Sequence, residues 1–266
     1  MKLSLVAVAL IILSAGCNQQ EKKGKNYVPR ILVKNEVFND FPKNASDSIS
    51  VVKISEPGQE PILVVKFRDT TVHIQNKISD TGEGLYKFKS ESVQFTNSQR
   101  TCLLVQLADS SGLAARPFLI ATNNGKLEVI SLYRPSNGKD DKKYTTGINK
   151  VGATGYLVNN DFFITNVTSK VYLLKRQHPD ERIQGQVLLL SPDKQTIIFA
   201  VKDYLYQVSY RTNEDLNEPI APNSPQDIAS IYKWITANYS FRKNKNGITF
   251  LRYNDDDRIV DMRQPR

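Results

Sequence analysis

Two histidines, two cysteines and a scatter of hydroxyls and carboxylates set the chemistry open to this chain of 266 residues. His73 lies in the alternating run Thr71-Val72-His73-Ile74-Gln75, and His178 in the polar stretch Lys175-Arg176-Gln177-His178-Pro179-Asp180. Neither has a ligand or a nucleophile at useful spacing, so both read as structural or solvated. Ser-x-x-Lys occurs twice, at Ser50 and Lys53 and at Ser191 and Lys194. That chemistry needs the amine one helical turn from the hydroxyl, whereas residues three apart on a strand point to opposite faces; the second pair falls in a turn. Asn254-Asp255-Asp256-Asp257 is the densest carboxylate cluster and has the oxygen ligands that a hard cation prefers. It lacks the Gly and the distal Glu of an EF-hand loop, has Arg252 and Arg258 beside it, and reads as a hairpin turn. No Gly-x-Ser-x-Gly elbow, His-Glu-x-x-His helix or phosphate-binding Gly-rich loop occurs. The expectation is a protein without catalytic activity, metal or cofactor.

The two cysteines divide by position. Cys17 closes MKLSLVAVALIILSAGC, in which Lys2 precedes an unbroken apolar run from Leu5 to Leu13 and Ser14-Ala15-Gly16 stand before the thiol. A charged start, a short apolar run and small residues at a cut site are the marks of an export signal, and the run falls short of the ~20 residues that span a bilayer. The cysteine after the small residues resembles the lipobox of bacterial lipoproteins, with Ser14 where Leu is usual. This resemblance implies cleavage after Gly16, lipid attachment at Cys17 and a membrane held through that lipid. Asn18 stands where enterobacterial lipoproteins retained in the inner membrane carry Asp, which implies the outer membrane, with the body facing the periplasm or the outside. Cys102 is then left without a disulfide partner. Its run, Arg100-Thr101-Cys102-Leu103-Leu104-Val105-Gln106-Leu107, reads as a core strand in which the thiol acts as a small apolar group.

The formal charge is +9 with a pI near 9.4, a balance that favours anionic partners. The basic residues cluster at Lys22-Lys23-Gly24-Lys25, from Lys139 to Lys143, and at Arg242-Lys243-Asn244-Lys245. Lys139, Lys142, Lys143, Arg242, Lys243 and Lys245 are therefore the candidate partner-binding residues. For an exported chain the anionic candidates are lipid head groups, envelope polymers or an acidic protein; nucleic acid is not expected. From Asn18 to Asn26 there is no apolar residue, so this stretch cannot offset its ordering entropy by burial. The expected organisation is a leader over 1–16, a lipidated flexible tether over 17–26 and a single β-rich domain over 27–266.

The body is a succession of short runs rich in β-branched and aromatic residues, bounded by turn residues, which predicts strands. Examples are Ile49 to Ile54, Ile62 to Phe67, Thr101 to Leu107, Leu127 to Tyr133, Thr196 to Val201 and Tyr204 to Tyr210. Spacing this short permits hairpins and predicts antiparallel sheets. A looser repeat of strand, polar turn, strand, tight turn and strand is clearest over 186–211, around Ser191-Pro192-Asp193-Lys194 and Lys202-Asp203. Further copies centre on Asn159-Asn160-Asp161, Asn123-Asn124-Gly125, Pro57-Gly58 and Asn246-Gly247. The Leu-Ser-Pro-Asp turn of the clearest copy is similar to the blade turns of WD40-like and TolB-like β-propellers. That resemblance implies propeller-like repeats; a β-sandwich or an extended meander is the alternative arrangement of the same strands.

One amphipathic helix interrupts the strands near 225–238, with Ser224, Pro225 and Asp227 arranged as a capping box and Ile228, Ile231, Tyr232 and Ile235 as its apolar stripe. Trp234 lies off the centre of that stripe and reads as partly buried against a neighbouring strand, with an exposed recognition residue as the alternative. The functional expectation is a lipid-anchored envelope binding protein that recognises another protein, either an assembly component or a toxin that it neutralises. A binder of anionic polymers or glycans through a basic, Tyr-rich surface is the second reading, and an enzyme the third.

Overall fold

The computed structural model describes residues 24–55, 57–58, 61–75, 87–88, 92–107, 116–136, 147–153, 155–225 and 227–254. Gly16, Cys17, Lys139, Lys142, Lys143 and Asp255 to Asp257 lie outside the described residues. The fold is mainly β and its sheets are mainly antiparallel. Three short strands open the described chain: β1 (Lys25–Tyr27), β2 (Arg30–Ile31) and β3 (Glu36–Val37). Lys25 and Asn26, placed in the tether by their polarity, are thus the start of a strand. Backbone pairing holds them, which side-chain composition does not report.

Four meanders follow. The first joins β4 (Ile49–Ile54), β5 (Ile62–Phe67) and β6 (Thr70–Ile74), with the short β7 (Lys87–Phe88) also on β5. The second runs through β8 (Gln94–Phe95), β9 (Cys102–Gln106), β10 (Pro117–Asn123) and β11 (Lys126–Ser131). The third comprises β12 (Ile148–Val151), β13 (Gly155–Val158), β14 (Phe162–Thr165) and β15 (Lys170–Leu173), and the fourth β16 (Gln186–Leu190), β17 (Thr196–Val201), β18 (Tyr204–Ser209) and β19 (Asp215–Pro219). The hairpin β20 (Tyr239–Lys243) and β21 (Thr249–Tyr253) completes the described chain. β1, β2 and β3 each add to the last strand of one meander, β1 parallel to β6, β2 parallel to β11 and β3 antiparallel to β15.

The sheets stack face to face because the runs that form them are apolar on both faces. In β9, Leu103 and Val105 point into a core shared with Val65, Val72 and Ile74 of the first sheet, while Cys102 and Leu104 point into one shared with Tyr156, Val158 and Ile164 of the third. The next layer repeats the division, with Leu157, Phe163 and Tyr172 packed against Ile197, Phe199 and Tyr206. A fourth core joins Ile198 and Leu205 to the helix and the last hairpin through Ile231, Ile235 and Leu251. Each such side chain contributes about 1.5–3 kcal/mol on burial. In β16 a bulge between Val187 and Leu189 turns the consecutive Leu188 and Leu189 to the same core. Among the described residues no buried cluster joins the first sheet to β20 and β21.

Turn chemistry closes the meanders where the residue types predict it. Asn124 and Gly125, Asn159 and Asn160, and Gly247 all have positive φ, a conformation open to Gly and, among side chains, best tolerated by Asn. In the Ser191-Pro192-Asp193-Lys194 turn, the Ser191 hydroxyl donates to Asp193 and accepts from the backbone N–H of Thr196 at 2.9 Å. The helix α1 (Ile228–Asn238) begins later than the capping box predicts. Asp227 is its N-cap, accepting from the Ser230 N–H at 2.9 Å, so the Ser224 register is corrected. Of the predicted stripe, Ile231 and Ile235 are buried but Tyr232 is exposed, because the helix meets the fourth sheet and the last hairpin through Ile231, Ile235 and Trp234. Trp234 packs beside Tyr239 and Tyr253, at ring distances of 5.7 and 6.3 Å.

Candidate functional site

Arg242, Lys243 and Lys245 come together on the last hairpin, and all three are exposed. The hairpin is positioned by side chains that substitute for a missing backbone ladder. Gln207 of β18, itself fully buried, donates to the Leu251 carbonyl at 2.8 Å and accepts from the Leu251 N–H at 2.7 Å. Its amide thereby acts as one more peptide unit between β18 and β21. Glu218 of β19 adds a bond from Arg252 at 2.8 Å, and Asn244 and Asn246 in the turn donate to Glu214 at 2.9 and 3.2 Å. Asp193, in the Ser-Pro-Asp-Lys turn, accepts from the Thr249 hydroxyl at 2.7 Å. Desolvation opposes ionisation of Asp193, but bonds from Ser191, Thr249 and the Gln195 N–H, with the charge of Lys243, outweigh it and hold its pKa below the ordinary carboxylate value.

An open cleft of ≈ 260 Å³ borders this hairpin, lined by Glu218, Arg242, Lys243, Asn244, Phe250 and Arg252 among others. Its cations are interleaved with carboxylates: Arg252 is paired with Glu218, and Lys243 lies in the field of Asp193. The arrangement therefore offers orientation of a mixed-charge partner more than a uniform anion trap. Tyr253 and Phe250 are the aromatic residues of its lining. Tyr156, Tyr172, Tyr206, Tyr210 and Tyr239 are buried, their rings used as core by the stacked sheets, whereas Tyr232 is exposed.

The remaining polar groups of interest are structural. Asp161 and Arg176 form a bidentate pair at 2.6 and 2.8 Å, with both side chains almost fully buried. The other donors of Arg176 reach the carbonyls of Arg134, Pro135 and Pro179 at 2.8, 2.8 and 3.3 Å. Asn159 and Asn160 in the same turn donate to the carbonyls of Leu132, at 2.9 Å, and of Ile183 and Gly185, both at 3.2 Å. These bonds join the second, third and fourth sheets at one end. The sequence carries no evident sign of the pairing, because its members are 15 residues apart across a hairpin.

Cys102 is a free, buried thiol, and desolvation pushes its pKa up to about 12 against the opposing hydroxyls of Thr96 and Ser169. His73 is half-buried beside Gly24, at which a Cβ would meet the imidazole, and His178 is exposed. Ser50 and Lys53 lie on β4, and Ser191 in its turn, so neither Ser-x-x-Lys match makes a helical pair. No group of three His, Cys, Asp or Glu side chains that could hold a metal ion occurs among the described residues. No helix of the described residues is long and apolar enough to cross a membrane.

A feature that strand patterning passes over is the N-terminal rim. Val28, Ile31, Val33, Val37 and Phe41 are exposed along the segment that crosses β1, β2 and β3. Its residues alternate too briefly for a period to register, although the run of Val, Ile and Phe between Lys25 and Lys43 was available as a signal. In comparisons with known proteins, no family model matches the chain and no curated protein matches it significantly.

Proposed function

We propose that the protein is a lipid-anchored, non-catalytic binding protein of the bacterial cell envelope that recognises another protein. The leader ending at Ser14-Ala15-Gly16-Cys17 supports the anchor. The observation that carries the binding role is the way the polar groups best suited to chemistry are engaged. Asp161, Arg176, Gln207 and Glu218 hold sheets and turns to one another, and what they hold rigid is a set of loops, edges and a mixed-charge cleft. Loops on a rigid scaffold are where recognition is usually built. Serial meander sheets stacked through apolar faces also support propeller-like repeats, in which the first sheet would meet the last hairpin; cross-linking between those two elements tests that arrangement.

The functional test is photo-cross-linking of the lipidated protein in its native envelope, followed by capture at low and high ionic strength. Salt-tolerant capture of one protein species is the expected result, and its absence overturns the reading. The exposed Arg242, Lys243 and Lys245 favour one further reading, a binder of anionic envelope polymers. That reading expects binding to lipopolysaccharide that weakens steeply with salt and is lost when the three are changed to Ala.

A further inference from the structure

We propose that the N-terminal rim, Lys25 to Lys43, is a lipid-contact surface that seats the body on the bilayer to which Cys17 is anchored; the inference rests on the reading of Cys17 as the acylated residue. β1, β2 and β3 each lie outside the last strand of their meander. The chain from Lys25 to Val37 therefore crosses the same edge of three successive layers. Along it Val28, Ile31, Val33, Val37 and Phe41 are 57–78% exposed. They make up five of the nine large apolar side chains that stand out among the described residues as exposed, so the exposed apolar side chains of the described residues are concentrated on one segment. A concentration of this kind marks a contact surface more than scattered single residues do.

Charge selects the occupant. The carboxylates of the rim are engaged within the fold, Glu36 with Arg30 at 2.7 Å, and Asp40 with the backbone N–H groups of Phe41 and Gly125 at 3.0 and 3.4 Å. Its exposed charges are the ammonium groups of Lys25, Lys34 and Lys43. Apolar side chains interspersed with cations suit the boundary between acyl chains and anionic head groups, where affinity grows with buried apolar area and with attraction to the lipid charge. Chain length selects the same occupant. Lys25 lies eight positions after Cys17, a span of at most about 28 Å when fully extended. The rim is thus the first part of the body that a lipid-anchored chain brings to the membrane.

The test uses the chain beyond its leader with Cys17→Ser, so that no acyl group contributes, and a polarity-sensitive fluorophore on Val33→Cys. Burial of Cys102 confines native labelling to the new thiol. Vesicles of phosphatidylethanolamine and phosphatidylglycerol are the probe, and the same label on Tyr232→Cys, on the helix, is the control. The expected result is a blue shift and quenching by brominated lipid at 33 and neither at 232. Val28→Asp with Phe41→Asp should weaken vesicle partitioning roughly tenfold without lowering the melting temperature, since both side chains are exposed. Equal responses at 33 and 232, or partitioning indifferent to the two Asp substitutions, overturn the proposal. So does a sedimentation shift from dimer to monomer on those substitutions, which would make the rim an interface between copies. Palmitate labelling of the unaltered protein decides the anchor separately: a labelled protein without the rim response defeats the rim alone, and an unlabelled one with it defeats the anchor alone.

Discussion

Cys102 shows how burial on two faces governs a single group. Its strand places Leu103 and Val105 in one core and Cys102 with Leu104 in the next, so the thiol has no path to water and its pKa rises from 9.0 to about 12. Thiolate chemistry requires both ionisation and access. Native protein should therefore react slowly with a thiol reagent at pH 8 and rapidly after denaturation; fast native labelling would refute this. The linkage has a definite sign. Unfolding frees a thiol that ionises more readily, so the contribution to stability is complete below about pH 9 and is lost as the pH rises toward 12. Cys102→Ala should flatten the alkaline decline in melting temperature, leaving the part due to Tyr206, whose phenol burial also pushes upward. The Asp161–Arg176 pair is the second residue-scale determinant. Arg176→Ala strands a buried carboxylate and should cost about 3–5 kcal/mol in urea unfolding, whereas an exposed cation such as Lys245 should be replaceable with little effect.

At the scale of elements, the last hairpin depends on its neighbours. Two strands are marginal alone in water, and β20 and β21 are tied to the fourth sheet by Gln207, Glu218 and Asp193. Gln207→Leu keeps the volume but leaves the buried N–H and C=O of Leu251 unpaired, which should destabilise the protein by roughly 2–4 kcal/mol. A variant that melts like the parent would show that this amide is dispensable. Removing everything after Ser240 goes further, since it takes Leu251, with Phe241 and Tyr253, from the core that holds Ile198, Leu205 and Ile235. That truncation should lose solubility and cooperative unfolding; an unchanged, equally sharp melt would mean that the hairpin is an appendage. The two strands around Asn246-Gly247 are this hairpin, and the residues after Asn254 lie outside the described residues. Their legibility came from Asn246-Gly247, whose Gly supplies the positive φ the turn requires. The partners of the hairpin were not legible, because they sit 30 to 56 residues earlier in the chain.

For the whole molecule, the leader and the body make separable claims. Cys17→Ala should yield a chain that is unprocessed or misplaced but still folded, because the described core is built from residue 32 onward. Membrane fractionation with palmitate labelling checks it. Identical partitioning and mobility of parent and variant, with no label in either, would remove the lipid anchor and leave the β body intact.

Local information sufficed wherever a property is carried by neighbours in sequence. The β-branched runs and their Asn, Gly and Pro-Asp turns determine strands and hairpins, and Cys102 within an unbroken apolar run determines its own burial. The tertiary structure alone decided what depends on distant pairing. Lys25 and Asn26 became strand because β6 offered an open edge, and Gln207 became a surrogate peptide because β21 came to lie beside it. Asp161 and Arg176 became a clamp because their hairpin folded against the loops on either side. Backbone donors and acceptors are the same at every residue, so composition does not record which edge will satisfy them. That choice is made when the apolar faces of successive sheets close on one another.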